Sequence, residues 1–95
     1  MKRNVKKVEI RVAYTNLKGI HAGQIVTFEC GRDHLSVNIK DVRKYKTFVS
    51  MLEKEDPKLI AEGKTKQEVL EICRSIYPPH KEALGVLAFE VEVIN

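Results

Sequence analysis

Three runs of alternating apolar and polar residues fill the first half of the chain, with no helical pattern between them. This order limits the fold more than any other feature. The runs are Lys6-Lys7-Val8-Glu9-Ile10-Arg11-Val12-Ala13-Tyr14, Ile25-Val26-Thr27-Phe28-Glu29-Cys30 and Leu35-Ser36-Val37-Asn38-Ile39-Lys40. A period of two puts alternate side chains on opposite faces of a strand. Parallel neighbours need a long crossover, usually a helix, so strands that follow one another through loops predict antiparallel pairing. Thr15 to Gly19 breaks the first alternation as a loop. Gly23 supplies the positive φ of a tight turn before the second strand, and residues 31–34 form a hairpin turn.

The second half changes period. Asp41-Val42-Arg43-Lys44-Tyr45-Lys46 prolongs the third strand, and Thr47 is an N-cap for a helix with Phe48, Met51 and Leu52 on one face. Pro57 ends that helix, because the residue before a proline is pushed out of helical geometry. Pro57 to Glu62 then predicts a short helical turn closed by Gly63. Thr65-Lys66-Gln67-Glu68 is a capping box that opens the next helix. Val69, Ile72, Cys73 and Ile76 at i, i+3, i+4 and i+7 predict a stripe packed on the sheet, stopped by Tyr77-Pro78-Pro79. From Val86 to Ile94, Leu87, Phe89, Val91 and Val93 alternate with Ala88, Glu90 and Glu92, predicting a closing strand with one apolar and one acidic face. The expected fold class is α+β, a small mostly antiparallel β-barrel with two or three packed helices, with residues 1–95 as a single domain.

Ninety-five residues that are 43% apolar suit one small globular domain. No run of about 18 apolar residues and no apolar signal core follows Met1, so the expectation is a cytoplasmic protein without a membrane partner. Cys30 and Cys73 lack a CxxC partner or a histidine at ligand spacing, which makes them buried thiols rather than a disulfide or zinc ligands. His21, His34 and His80 are scattered in loops and predict surface histidines. No metal or cofactor is expected.

The net charge of +4 is unevenly spread. Residues 1–18 carry Lys2, Arg3, Lys6, Lys7, Arg11 and Lys18 against Glu9 alone, and Lys40, Arg43, Lys44 and Lys46 oppose only Asp41. Clustered cations suit a phosphate-bearing partner if the two segments meet, and otherwise form a solubilising surface. Lys7, Glu9 and Arg11 are either the solvated side of an edge strand or a site. Tyr45, amid cations, either stacks on a base or seals the core's rim, and the rim is the preferred reading.

The order of these pieces resembles the ASCH (activating-signal-cointegrator homology) domain family, a small β-barrel related to the PUA RNA-binding domain. The similarity runs from Lys6 to Ile94. It rests on Lys6-Lys7-Val8-Glu9-Ile10-Arg11, on Gly19 to Phe28, on Val37 to Tyr45, on Ile76-Tyr77-Pro78 and on Gly85-Val86-Leu87-Ala88-Phe89-Glu90. The resemblance implies binding of RNA or modified nucleosides in a cleft on the barrel. It also brings in a bacterial branch that removes the acyl group of N4-acetylcytidine with a lysine, a threonine three residues later and a glutamate. By resemblance the lysine falls on Lys6 and the glutamate on Glu62, whereas the threonine position falls on Glu9. A carboxylate cannot take the place of a hydroxyl nucleophile in that mechanism.

Three readings follow. The first is a binder of RNA or a modified nucleoside, with Lys6, Lys7, Glu9 and Arg11 and the segment Arg43, Lys44 and Tyr45 lining one cleft. The second is an amidohydrolase acting on an N4-acylated cytidine, using Lys6, Glu9 and Glu62, with Glu9 positioning water and Lys6 or Arg11 stabilising the oxyanion. The third is a protein-interaction module. An exposed first strand would also leave an unprotected edge, through which a homodimer would form.

Overall fold

A computed structural model describes residues 5–30 and 32–94. The strands are β1 (Val5–Val12), β2 (Ile25–Cys30), β3 (Asp33–Tyr45) and β4 (Val86–Val93). They form one sheet of order β1-β4-β3-β2 in which every neighbouring pair is antiparallel. Cys30 pairs with Asp33, so the hairpin connection is shorter than the sequence suggests. Gly23 has φ +95°, as its turn requires.

The sheet curls. β1 and β2 are its two opposite edges, yet the guanidinium carbon of Arg11 in β1 lies 5.0 Å from the centre of the Phe28 ring in β2. A flat sheet would keep these edges three strand spacings, about 14 Å, apart. The result is a half-barrel whose concave side buries Phe28, Val37, Ile39, Leu87, Phe89 and Val91. Its convex side is covered by helices over Val12 and Val86.

β4 lies in the middle of the sheet, so it does more than close the fold on one face. Val86, Leu87, Ala88 and Phe89 are buried in succession, because the concave core takes the odd-numbered pair and the helices cover the even-numbered pair. The acidic side begins only at Glu90.

β3 changes register between Ile39 and Asp41. Strict alternation would keep positions 39, 41, 43 and 45 on one face. One extra residue flips the faces beyond it. Val42 and Lys44 therefore follow Val37 and Ile39 on the concave side, opposite Phe89 and Leu87, while Arg43 and Tyr45 stand with Ala88 and Val86 on the convex side.

The helices are α1 (Phe48–Lys54), α2 (Pro57–Ile60), α3 (Lys66–Ile76) and α4 (Pro79–Glu82). Thr47 caps α1 in a reciprocal box with Ser50, and Thr65 caps α3 with Glu68. The proline pair ends α3 and also starts α4, with Pro79 in the first helical turn, where a missing N–H costs nothing. The expected stripe of α3 is only half used. Val69 and Cys73 are buried, but Ile72 is 40% and Ile76 62% exposed. These two isoleucines extend past the edge of the sheet.

Candidate functional site

Beyond the free edge of β1, α2 and α3 overhang the strand and leave a cleft of about 290 Å³. Its apolar floor is Val8 and Ile10, its walls are Ile60 of α2 with Ala61 just after it and Ile72, Cys73 and Ile76 from α3, and its polar end is Glu9, Arg11 and Tyr77. The exposed isoleucines of α3 are thus walls of a cavity.

Glu9 and Arg11 stand opposite Phe89 and Leu87 in the ladder. Arg11 Nη2 donates to Glu9 Oε2 at 2.8 Å, with the two side chains 24% and 14% exposed. Lys7 Nζ lies 4.0 Å from the other Glu9 oxygen. A charge-assisted pair so far withdrawn from water is worth more than a surface ion pair and holds its geometry better. Arg11 also faces the Phe28 ring, an arrangement that planar guanidinium favours.

Tyr77, the C-cap of α3, packs against Phe48 with ring centres 6.0 Å apart. Burial pushes its phenol pKa up, and the charge and hydrogen bonding of Arg11 offset part of the rise. The phenol is therefore a neutral donor and acceptor at the polar end of the cleft. Cys73 in the wall is pushed up to about 11 by burial and the Glu82 charge. A protonated, buried thiol is an inert wall rather than a nucleophile.

Arg43 and Tyr45 belong elsewhere. Arg43 Nε and Nη2 donate to the two oxygens of Glu55 at 2.6 and 2.8 Å, and Nη1 donates to Asp41 at 2.8 Å and Glu90 at 3.0 Å. The Tyr45 hydroxyl donates to the same Glu55 carboxylate. Three carboxylates surround one guanidinium, so this cluster carries excess negative charge. It ties the end of α1 to the convex face of the sheet. The two segments expected to line one cleft are thus divided by the β3 bulge, with Arg43 and Tyr45 on the face opposite Glu9 and Arg11.

Lys44 remains on the concave side, in one cross-strand row with Leu87 and Arg11. It is exposed, and with Lys46, Leu84 and Gly85 it lines an open depression of about 600 Å³. Glu62 is exposed on the turn after α2, one residue past the cleft-lining Ala61. The backbone of Lys6 pairs with Glu92, while its side chain, like that of Cys30, lies outside the described residues. His21, His34 and His80 are exposed, and the described residues contain no cluster of three or more groups able to hold a metal.

Tyr77 and Glu55 both matter more than their sequence neighbourhoods suggest. Tyr77 stands where a helix stop is expected, yet it carries a readable signal, being four residues past Cys73 on the same stripe. Glu55, at a helix end, carries none, because its importance comes from a long-range partner.

A profile of the ASCH domain matches residues 2–95. The crystal structure of the hypothetical protein PH0355 superimposes with a TM-score of 0.81 at 36% identity, covering 93% of this chain and 82% of that one. The solution NMR structure of protein PF0455 from Pyrococcus furiosus gives a TM-score of 0.74 at 34% identity, covering 94% of this chain and 81% of that one. No protein with a curated description matches. Among the described residues no helix is long and apolar enough to cross a membrane.

Proposed function

The chain belongs to the ASCH domain family, and from that premise we propose that it binds RNA or a modified nucleoside by taking one base into the cleft between β1, α2 and α3. The observation that carries this reading is the Glu9–Arg11 pair, 2.8 Å apart, at the polar end of an otherwise apolar cavity. Such a pair offers an acceptor beside a fork of donors. A cytosine edge presents the complement, an amino group beside ring acceptors. The cavity volume of about 290 Å³ is at the small end for ligand sites and suits a single base between apolar walls. Lys7, its ammonium 4.0 Å from Glu9, adds a cation beside the pair for a phosphate.

The hydrolase reading has less support. Glu9, which would have to position the water, is committed to Arg11 at 2.8 Å, and Glu62 is exposed outside the cleft lining.

The test is an amide-resolved NMR titration with cytidine and N4-acetylcytidine, reading free acetate in the same tube. The expected result is a set of shifts at residues 8–11 and 72–77 without acetate. Arg11→Ala should weaken binding about tenfold or more, the loss of a charge-assisted hydrogen bond of roughly 1.5–3 kcal/mol. Acetate growing above a protein-free control would replace this reading with hydrolysis and direct attention to Lys6, Glu9 and Glu62. No shifts with either compound would remove the base pocket and leave a protein partner as the better account.

A further inference from the structure

Resting on the base-pocket reading, we infer that the ligand is a single-stranded RNA segment rather than a free nucleoside, its phosphates crossing one end of the sheet over Lys81, Lys44 and Lys46.

The topology gathers cations at that end. β1 finishes there, β4 begins there and β3 finishes there, so Arg11, Leu87 and Lys44 share a row. Two strand spacings separate the backbones of Arg11 and Lys44 by about 10 Å. Lys81, on α4, stands over the Tyr14 ring with its ammonium 5.4 Å from the ring centre. The Ala13 N–H donates to the Gly85 carbonyl at 2.9 Å, which brings the segment after α4 beside the end of β1. The stem of Lys44 lies over Gly85, where an added Cβ would sit 3.3 Å from its Cε. A continuous path thus leads from the polar end of the cleft, past Tyr14 and Lys81, into the open depression at Lys44 and Lys46.

The charges on this path are available. Among the described residues Lys44, Lys46 and Lys81 form no ion pair. Glu82, the acid nearest in sequence to Lys81, is occupied in accepting the Phe48 N–H at 2.9 Å. Farther along the sheet Lys40 lies 4.0 Å from Glu92, and on the opposite face Arg43, next to Lys44 in the chain, is enclosed by carboxylates. A one-sided row of uncommitted lysines beside half-buried tyrosines matches an unpaired nucleic acid strand, which offers phosphates for the cations and ring faces for the aromatics. A duplex keeps its bases stacked and could not deliver one to the cleft.

The test compares cytidine with a single-stranded oligocytidine hexamer, and with the same strand in a duplex, over a salt series. It uses the full chain and a Lys44→Gln, Lys46→Gln, Lys81→Gln triple variant. Lys40→Gln at the far end of the sheet is the control. The triple variant should bind the hexamer at least tenfold more weakly, and its plot of log affinity against log salt should flatten by about 0.7 for each phosphate that is no longer neutralised. Its cytidine affinity should stay unchanged. An unchanged salt slope, an equal effect from Lys40→Gln, duplex binding as tight as the single strand, or displacement of the hexamer by polyglutamate at equal charge would each overturn the track. If cytidine fails to bind while the hexamer keeps its lysine-dependent slope, the track stands and the base pocket falls.

Discussion

Glu55 is 6% exposed and still ionised. Burial alone would raise its carboxyl pKa, but the Arg43 and Tyr45 hydrogen bonds and the Arg43 charge outweigh that and hold it below the usual carboxylate range. Removing Arg43 would strand this charge in the protein. Arg43→Ala should therefore cost about 2–4 kcal/mol, somewhat less than for a fully buried pair because the arginine is partly exposed, read as a lowered urea midpoint. A carboxyl with a depressed folded-state pKa adds stability above its unfolded value, near 4.3, and loses it as pH falls through the folded value. Wild-type stability should thus decline below about pH 4, and Glu55→Gln, though weaker at neutral pH, should flatten that decline. Denaturation midpoints between pH 3 and pH 7 would show it, and parallel curves for the two proteins would refute it. None of this was readable from Glu53-Lys54-Glu55-Asp56, where four successive charged residues look alike until a distant arginine selects one of them.

At the scale of elements, the bulge in β3 decides which side chains share a face. Deleting Lys40 and Asp41 together would remove the extra residue and one more, forcing Arg43 toward the concave core and Val42 toward the helices. The variant should lose most of its folding free energy, on the order of 5 kcal/mol, because every side chain beyond the deletion changes face. A dispersed amide spectrum with a near-native urea midpoint would contradict this. The capping boxes, the proline stops and the period-two runs were legible because each is written in adjacent residues. The bulge was not, since Ile39-Lys40-Asp41-Val42 breaks its apolar pattern by one residue and a local reading simply prolongs the strand through the break. The same one-residue shift is what parts Arg43 and Tyr45 from Glu9 and Arg11. The central place of β4 was hidden for another reason: its neighbours lie about 50 and 80 positions earlier in the chain.

For the whole molecule, the antiparallel α+β barrel was legible and the contact that closes its curled sheet was not. Phe28 is buried against Phe89, with ring centres 5.6 Å apart and planes tilted by 46°, and it receives Arg11 on its face. Phe28→Ala should cost about 3–5 kcal/mol and also loosen Arg11, so a thermal scan should show a lower midpoint and a base titration weaker binding. Intact affinity in a destabilised protein would separate the two roles. The sheet's edges meet here through a cation on a ring, and among the described residues no ladder of backbone bonds joins β1 to β2. The barrel is consequently a clasp and not a hoop. A ligand that draws the guanidinium of Arg11 toward itself unfastens the clasp, and part of its binding energy is spent on the opening. Amide protons of β2 should then exchange faster with ligand bound, even as the residues around the cleft become better protected.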